Sequence, residues 1–444
     1  MTGAARTTGG TTPPAGDEPV TLPVRRGCPF DPPAEYAELQ RQRPVAPLRL
    51  TVGPGGGVGW LVTRLADARR VLSDGRFSHR NELIGLPIPP PFPIDDYQPS
   101  PAAPGAFIKM DRPEHIRYRR LLTRRFTVRG VAELTPMITR ITHEHLDRMA
   151  QATGPVDLVS AFAEPVPMRV MCELVGVPAQ AQAPLAEHFA VLSRMSYPLE
   201  ELITACTVIA ELLGDLVAAK RAAPGADLLS DLARDASLTD TERVNLAWAL
   251  LGGGFDTTAN MIALGTYALL RHPDQLALLR ARPDLVDDAV EELLRYLTIS
   301  HLGASRAALE DVELGGVRIR AGDTVVVALP AANRDPAHFA EPDRLDITAD
   351  HRGHVAFGHG VHQCIGQNLA RAVLRVAYPA LFDRFPSLRL VDPAGDLPMR
   401  EDMLHYGVHE MPVTWDRAVN PTAGPPTTAA VDPDAPADVA KSLN

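Results

Sequence analysis

Residues 357–366 read FGHGVHQCIG, with three glycines, two histidines and one cysteine in ten positions. A free thiol titrates near pH 8.5, so a thiolate at neutral pH needs help. The glycines permit turns with positive φ and let backbone N–H groups approach the Cys364 sulfur without steric conflict. A metal bonded to the sulfur would keep it deprotonated. Zinc would want three more Cys or His ligands at suitable spacing, and the sequence lacks them. A haem iron accepts a single thiolate, because the porphyrin supplies four ligands, and thiolate donation favours O–O cleavage. The other cysteines are Cys28, Cys172 and Cys206; none forms a CxxC pair, and so few in 444 residues argue against a disulfide framework. Cys172 and Cys206 lie in apolar helical patterns and read as buried, inert thiols.

Three further constellations carry chemistry. Residues 250–260, LLGGGFDTTAN, interrupt a helical pattern that opens on TDTE (239–242), a capping box, and stops at Pro273. Three consecutive glycines cost about 3 kcal/mol of helix propensity. They predict a helix opened at a bulged turn, with a freed carbonyl and the Asp256 carboxylate and a threonine hydroxyl facing a cavity. Glu292 and Arg295 stand at i, i+3 on one helix face, and Arg344 in EPDR (341–344) is expected to complete a buried Glu-Arg-Arg network. Finally, DRPEHIRYR (111–119) sets His115 and Arg119 four apart. With Arg306 and His362 they would hold a dianion by charge-assisted hydrogen bonds, and two porphyrin propionates would supply one.

The elements that must position these groups are mostly helical. Apolar periodicity predicts helices over 114–125, 131–150, 159–175, 199–221, 242–271 and 285–296, and short strands over 60–63, 317–319 and 324–329. The fold class is therefore mainly α with a minor β-sheet. The glycines of GPGGGVG (53–59) precede a strand instead of following one, so they read as a hairpin turn and not as a dinucleotide loop. The Pro-rich segment 85–105 reads as an ordered covering loop. Residues 1–22 and 417–444 have the composition of disordered tails. A net charge of −10 argues against a nucleic-acid partner. No run of eighteen apolar residues suggests a membrane span, and the N-terminus lacks the apolar core of a secretory signal. A cytoplasmic location is expected.

Taken in order, these motifs resemble the cytochrome P-450 family of haem-thiolate monooxygenases, specifically its soluble bacterial members. FGHGVHQCIG fits the signature F-G-x-G-x-[RH]-x-C-x-G at every fixed position, GGFDTT resembles the oxygen-activating groove, and ELLR the E-x-x-R pair. The resemblance runs from about Cys28 to Trp415 and implies one domain over 23–416, with haem b between a long distal helix and a proximal Cys-loop helix. It implies Cys364 as the axial iron ligand, Phe357 shielding the sulfur, and Gly366 closing the loop. His115, Arg119, Arg306 and His362 become propionate donors, and Gly253 and Gly254 leave room above the iron. Asp256 and Thr257 become the acid–alcohol pair that relays protons, while Glu292, Arg295 and Arg344 become the core network. Two departures are DRPEH where DPPEH is common, and Leu345 in place of an aromatic residue.

The resemblance further implies insertion of one oxygen atom from dioxygen into a lipophilic small molecule, by hydroxylation or epoxidation, in secondary metabolism or in xenobiotic or steroid oxidation. Electrons come from NAD(P)H through a separate ferredoxin reductase and ferredoxin, and the enzyme is expected to act as a monomer. Arg120, Arg124, Arg125, Arg371 and Arg375 are candidates for docking an acidic ferredoxin. Residues 85–105, 189–197 and 298–302 are candidates for the substrate pocket. A peroxide-driven or non-oxygenating haem-thiolate enzyme, and a haem-binding sensor, are the competing readings.

Overall fold

The computed structural model describes residues 18–53, 57–90, 99–350 and 352–416. The tails assigned to 1–17 and 417–444 lie outside these residues, as does the middle of the Pro-rich segment. Residues 18–22 do not belong to a disordered tail. Val20 bridges Leu48 in parallel, and Leu22 is buried at 4% exposure.

Helices dominate. Asp240–Arg271 is the longest at 32 residues, and its N-terminus carries the expected capping box between Thr239 and Glu242. Proline at 273 begins the next helix, Pro273–Ala281, so the first cannot continue. The long helix packs against Pro165–Val175, Leu199–Ala222 and Gln367–Arg384, and together they enclose the main apolar core. Two expected helices are divided. The 131–150 pattern splits into Val128–Ala132 and Thr135–Ala150, and the 159–175 pattern opens as a π turn, Val159–Ala163, before Pro165. Leu199–Ala222 is long and apolar enough to cross a membrane by length and composition, with 28% of its apolar window buried. Its Ala205, Ile209, Leu213, Leu216 and Val217 form the stripe that meets the rest of the fold.

The minor sheet has five strands in the order Val45–Arg49, Val58–Val62, Thr324–Val327, Ala304–Ala308, Phe77–Ser78. The first pair is antiparallel, joined across the glycine segment as a hairpin, and only the second pair is parallel. Strand alternation separates two smaller cores, Val325 and Val327 facing one and Val326 the other. Thr324–Val327 ends sooner than the 324–329 pattern suggests, because Leu329–Ala332 turns helical. This sheet sets one wall of the site: Arg306 is opposite Val325 in its register, and Ser78, just before His79, is opposite Ala307.

The bulge expected at the three glycines is absent. The helix is continuous from Asp240 to Arg271, and the glycines serve close packing instead. A Cβ on Gly252 would sit 3.0 Å from the Phe189 ring, and one on Gly254 2.7–2.8 Å from Met171. One on Gly253 would meet nothing within 4 Å.

Candidate active site

The thiol loop is built by two left-handed glycines, Gly358 at φ 69° and Gly360 at φ 73°. Gly360 is further required because a Cβ there would lie 2.6 Å from the Leu72 carbonyl. The Cys364 N–H closes the loop on the Phe357 carbonyl at 2.9 Å, and Gly366 caps the helix Gln367–Arg384. The sulfur is exposed, but to an internal cavity. Burial beneath the surface pushes its pKa up, against the backbone N–H of Gly366 and the charges of Arg119 and Arg371. Phe357 lines the same cavity, with the Arg371 guanidinium 4.6 Å from its ring centroid.

That cavity measures about 310 Å³. Cys364, Phe357 and Gly366 of the thiol loop line it together with Gly253, Gly254 and Thr257 of the long helix, and so do His115, Arg119, Arg306 and His362. All ten residues expected to touch the cofactor or relay protons, Asp256 apart, therefore meet in one place. The His115 and His362 rings are 4.1 Å apart, and Arg119 reaches the Gln363 carbonyl at 2.7 Å.

Two basic residues escaped the sequence reading. His79 stacks on His362 at 4.5 Å, and Lys109 contributes to the field at both His79 and His362. Neither belongs to a motif; only the strand pairing of Ser78 with Ala307 brings His79 beside Arg306. Burial first, and then repulsion from neighbouring basic groups, depresses the histidines, His362 to about 3 and His115 to about 4, while burial alone lowers Arg306 to about 10 against the Asp111 charge. The Nδ1 atoms of His79 and His115 are buried without a hydrogen-bond partner. A crowd of desolvated donors with unspent hydrogen-bonding capacity suits a bound dianion. With a lone thiol in the same cavity, the donor set fits a haem with two propionates.

Thr257 and Asp256 face different ways. The Thr257 hydroxyl donates to the Gly253 carbonyl at 2.8 Å and lines the main cavity. Asp256 lines a second cavity of about 100 Å³, where Arg400 Nη2 reaches Oδ1 at 2.7 Å and His405 Nδ1 reaches Oδ2 at 2.8 Å. Burial raises the carboxyl, but the His405 hydrogen bond and the Arg400 charge outweigh it and hold the pKa below the usual range. Arg400 and His405 lie 144 and 149 residues from Asp256, so no local pattern announces them.

Glu292 and Arg295 form a bidentate buried pair at 2.7 and 2.9 Å. Arg295 also donates to the carbonyls of Asn333, Pro342 and Arg344, which fastens the loop before the thiol segment. The Arg344 side chain is not the buried third member. It is 57% exposed and pairs with Glu341 at 3.3 Å and Asp346 at 3.8 Å, joining the network through its backbone carbonyl. Leu345 fills the departure from the aromatic pattern with a core leucine at 2% exposure.

Other expectations change as well. Among the described residues, 85–105, 189–197 and 298–302 do not line the main cavity; Phe107, Ile108, Ala249, Leu250 and Val170 do. Cys172 is buried with a thiol pushed up to about 12, whereas Cys206 is only half-buried. Of the five docking arginines, Arg125, Arg371 and Arg375 are paired with Asp231, Glu291 and Asp287. Arg120 and Arg124 remain exposed.

The chain matches the model of the family described as Cytochrome P450 over residues 168–403. It is 46% identical to Cytochrome P450 105C1 of a Streptomyces species over 402 residues, 89% of this chain and 99% of that one. Pentalenic acid synthase of Streptomyces avermitilis is 43% identical over 408 residues, 89% of this chain and 98% of the relative. A crystal structure of CYP105P1 in complex with filipin I superposes with a TM-score of 0.81 at 43% identity, covering 90% of this chain and 99% of that one.

Proposed function

The chain belongs to the cytochrome P450 family, whose members are haem b monooxygenases, and we propose from that premise that it oxidises a lipophilic small molecule in the ≈310 Å³ cavity. The observation that carries the reading is the convergence on one cavity of a lone thiol, a glycine-thinned helix wall and a donor set of arginines and histidines. Cys364 would hold the iron, and His79, His115, Arg119, Arg306 and His362 the propionates. When bound, the haem supplies oxygen activation, which thiolate donation favours. The protein's own residues then divide the remaining work. Gly253, which opens into the cavity, leaves room beside the reacting centre. Thr257 presents a hydroxyl there and Asp256 supplies it with protons. Phe107, Ile108 and Leu250 shed water from the substrate. That lining is apolar, and among the similar proteins one is named for pentalenic acid and another was crystallised with filipin I. Tailoring of a secondary metabolite is the reading these support best.

Electrons would arrive from a separate ferredoxin, docked through Arg120 and Arg124, which are exposed on the helix Glu114–Phe126 that also carries the donors His115 and Arg119.

The test is a carbon monoxide difference spectrum of the reduced protein beside Cys364→Ala, followed by titration with a panel of lipophilic compounds. A wild-type thiolate spectrum in the variant would falsify the ligand assignment. Turnover is then compared with a ferredoxin system and with peroxide. Product with peroxide alone would favour the peroxide-driven reading. Charge reversal at Arg120 and Arg124 should raise the apparent KM for ferredoxin in a salt-dependent way, and an unchanged KM removes that docking surface.

A further inference from the structure

Residues 252, 253, 256 and 257 follow the geometry of an uninterrupted helix. Positions 253 and 257 form one stripe and 252 and 256 the next, rotated by about 100°. The main cavity is lined by Gly253 and Thr257, and the smaller one by Gly252 and Asp256. The acid and the alcohol, neighbours in sequence, therefore open onto separate spaces.

The two side chains that hydrogen-bond the Asp256 carboxylate oxygens come from the segment 399–408. This is a closed hairpin: Met399 bridges Val408, and the Arg400 N–H donates to the Gly407 carbonyl at 3.0 Å. Gly407 is needed for the approach, since a Cβ there would meet Asn260 Cγ at 2.7 Å. Asn260 in turn donates to the Asp256 backbone carbonyl at 2.9 Å. From this hairpin Arg400, 7% exposed, and His405 each grip one oxygen of the carboxylate. Glu164, at the start of Pro165–Val175, faces the same space with an oxygen 3.9 Å from Arg400. Burial pushes its carboxyl up, and the charges of Asp256 and Asp157 add to this against Arg400 and His409. Arg400 Nε is buried without a partner. The hairpin is itself held by Ser193, whose carbonyl takes the Leu404 N–H at 2.7 Å, and by Ile299, whose carbonyl takes that of Tyr406 at 2.9 Å.

We propose that Arg400 and His405 are positioning residues for the oxidation, holding the Asp256 carboxylate toward the smaller cavity so that protons enter from that side and leave through Thr257. This inference rests on the assignment of Asp256 and Thr257 as the proton relay. The step moves no electrons. A proton from water in the smaller cavity binds an Asp256 oxygen, the neutral side chain turns from Arg400 and His405 to the Thr257 stripe, and the proton passes to the Thr257 hydroxyl oxygen as that hydroxyl releases its own proton into the main cavity. The carboxylate is regenerated. Two donors on two oxygens fix the rotamer of the acid, and a charged one keeps it ionised until a proton is needed.

The test uses the holoenzyme with variants Asp256→Asn, Arg400→Met, Arg400→Lys, His405→Leu and His405→Gln, each checked for a wild-type haem spectrum. The first readout is product formed per NAD(P)H consumed. Asp256→Asn should lower it at least tenfold. Arg400→Met and His405→Leu should each lower it by about tenfold, the equivalent of one charge-assisted hydrogen bond. Arg400→Lys and His405→Gln keep a donor on the same oxygen and should stay within about twofold. In the Asp256→Asn background, Arg400→Met and His405→Leu should add less than about twofold, because they act through the missing carboxylate. The second readout is infrared. On acidification the protonated-carboxyl band should appear at higher pH in Arg400→Met than in the wild type, and vanish in Arg400→Met/Asp256→Asn. Wild-type coupling in both apolar variants, a full further loss in the Asp256→Asn background, or an unmoved carboxyl band overturns the proposal. Wild-type coupling in Asp256→Asn itself overturns the relay beneath it, a distinguishable failure.

Discussion

Gly253 and Gly254 are adjacent in one helix, yet they should answer an added methyl group in opposite ways. Both have helical backbone, so alanine at either recovers about 1 kcal/mol of helix propensity and unfolded-state entropy. At Gly253 no protein atom lies within 4 Å of the new Cβ, so Gly253→Ala keeps that gain and should raise the Tm of the haem-free protein by about 2 °C. At Gly254 the Cβ falls 2.7 Å from Met171 Sδ and 2.8 Å from its Cγ and Cε. Overpacking costs about 1–3 kcal/mol, the lower end applying because a methionine bends aside. Gly254→Ala should therefore lie between neutral and about 1 kcal/mol destabilised. Thermal unfolding of the haem-free protein followed by circular dichroism, at one fixed scan rate, separates the two. The same variants separate in function, because the Gly253 methyl projects into the main cavity. Gly253→Ala should weaken spin-state titration by the largest ligands while leaving small ones unchanged. Equal stabilisation of both variants, or destabilisation by Gly253→Ala, would refute the reasoning from packing.

Two further outcomes follow from the buried charges. Glu292→Gln strands Arg295 at 4% exposure and should cost about 3–5 kcal/mol, whereas Arg344→Ala, with its side chain at 57% exposure, should change stability by less than about 0.5 kcal/mol; denaturant unfolding compares them, and equal losses would restore Arg344 to the buried network. Burial raises the Glu242 carboxyl, but the Thr239 N–H, the Tyr118 hydroxyl and the Arg117 guanidinium outweigh it and lower the pKa from 4.5 to about 2. A depressed carboxylate stabilises the fold above its unfolded pKa. Roughly 3 kcal/mol should thus be present at pH 6 and be lost as pH falls from about 4.5 towards 2, and Glu242→Gln should flatten unfolding free energy over that window.

The thiol loop was legible because its chemistry is local. Gly358 and Gly360 set the turns, the N–H groups that meet the sulfur lie within three residues of it, and FGHGVHQCIG carries all of this in one stretch. The capping box at Thr239 was legible for the same reason. Arg344 was misplaced because its short segment brings a carbonyl, not a guanidinium, to Arg295, and sequence spacing does not choose between the two ends of one residue. His79, Arg400 and His405 were invisible for a third reason. They reach the site through strand register or a hairpin far along the chain, and a lone basic residue in a loop looks the same whether it faces water or a carboxylate.

The row of glycines at 252–254 shows why contiguity in sequence misleads on a helix. Three in succession look like one local disturbance and predict one bulge. Successive residues on an α-helix point about 100° apart, so three neighbours address three different surroundings. Gly252 makes room for Phe189, Gly254 for Met171, and Gly253 leaves space in the main cavity. Each absence of a side chain has its own cause, and no backbone distortion is needed to explain the set. The same rotation splits Asp256 from Thr257. A pair that reads as a single acid–alcohol unit is two groups on two stripes, and the helix itself is the wall between the spaces they face. Any proton passing from one to the other must cross that wall, so the groups that aim Asp256 belong to the relay as much as the hydroxyl that ends it.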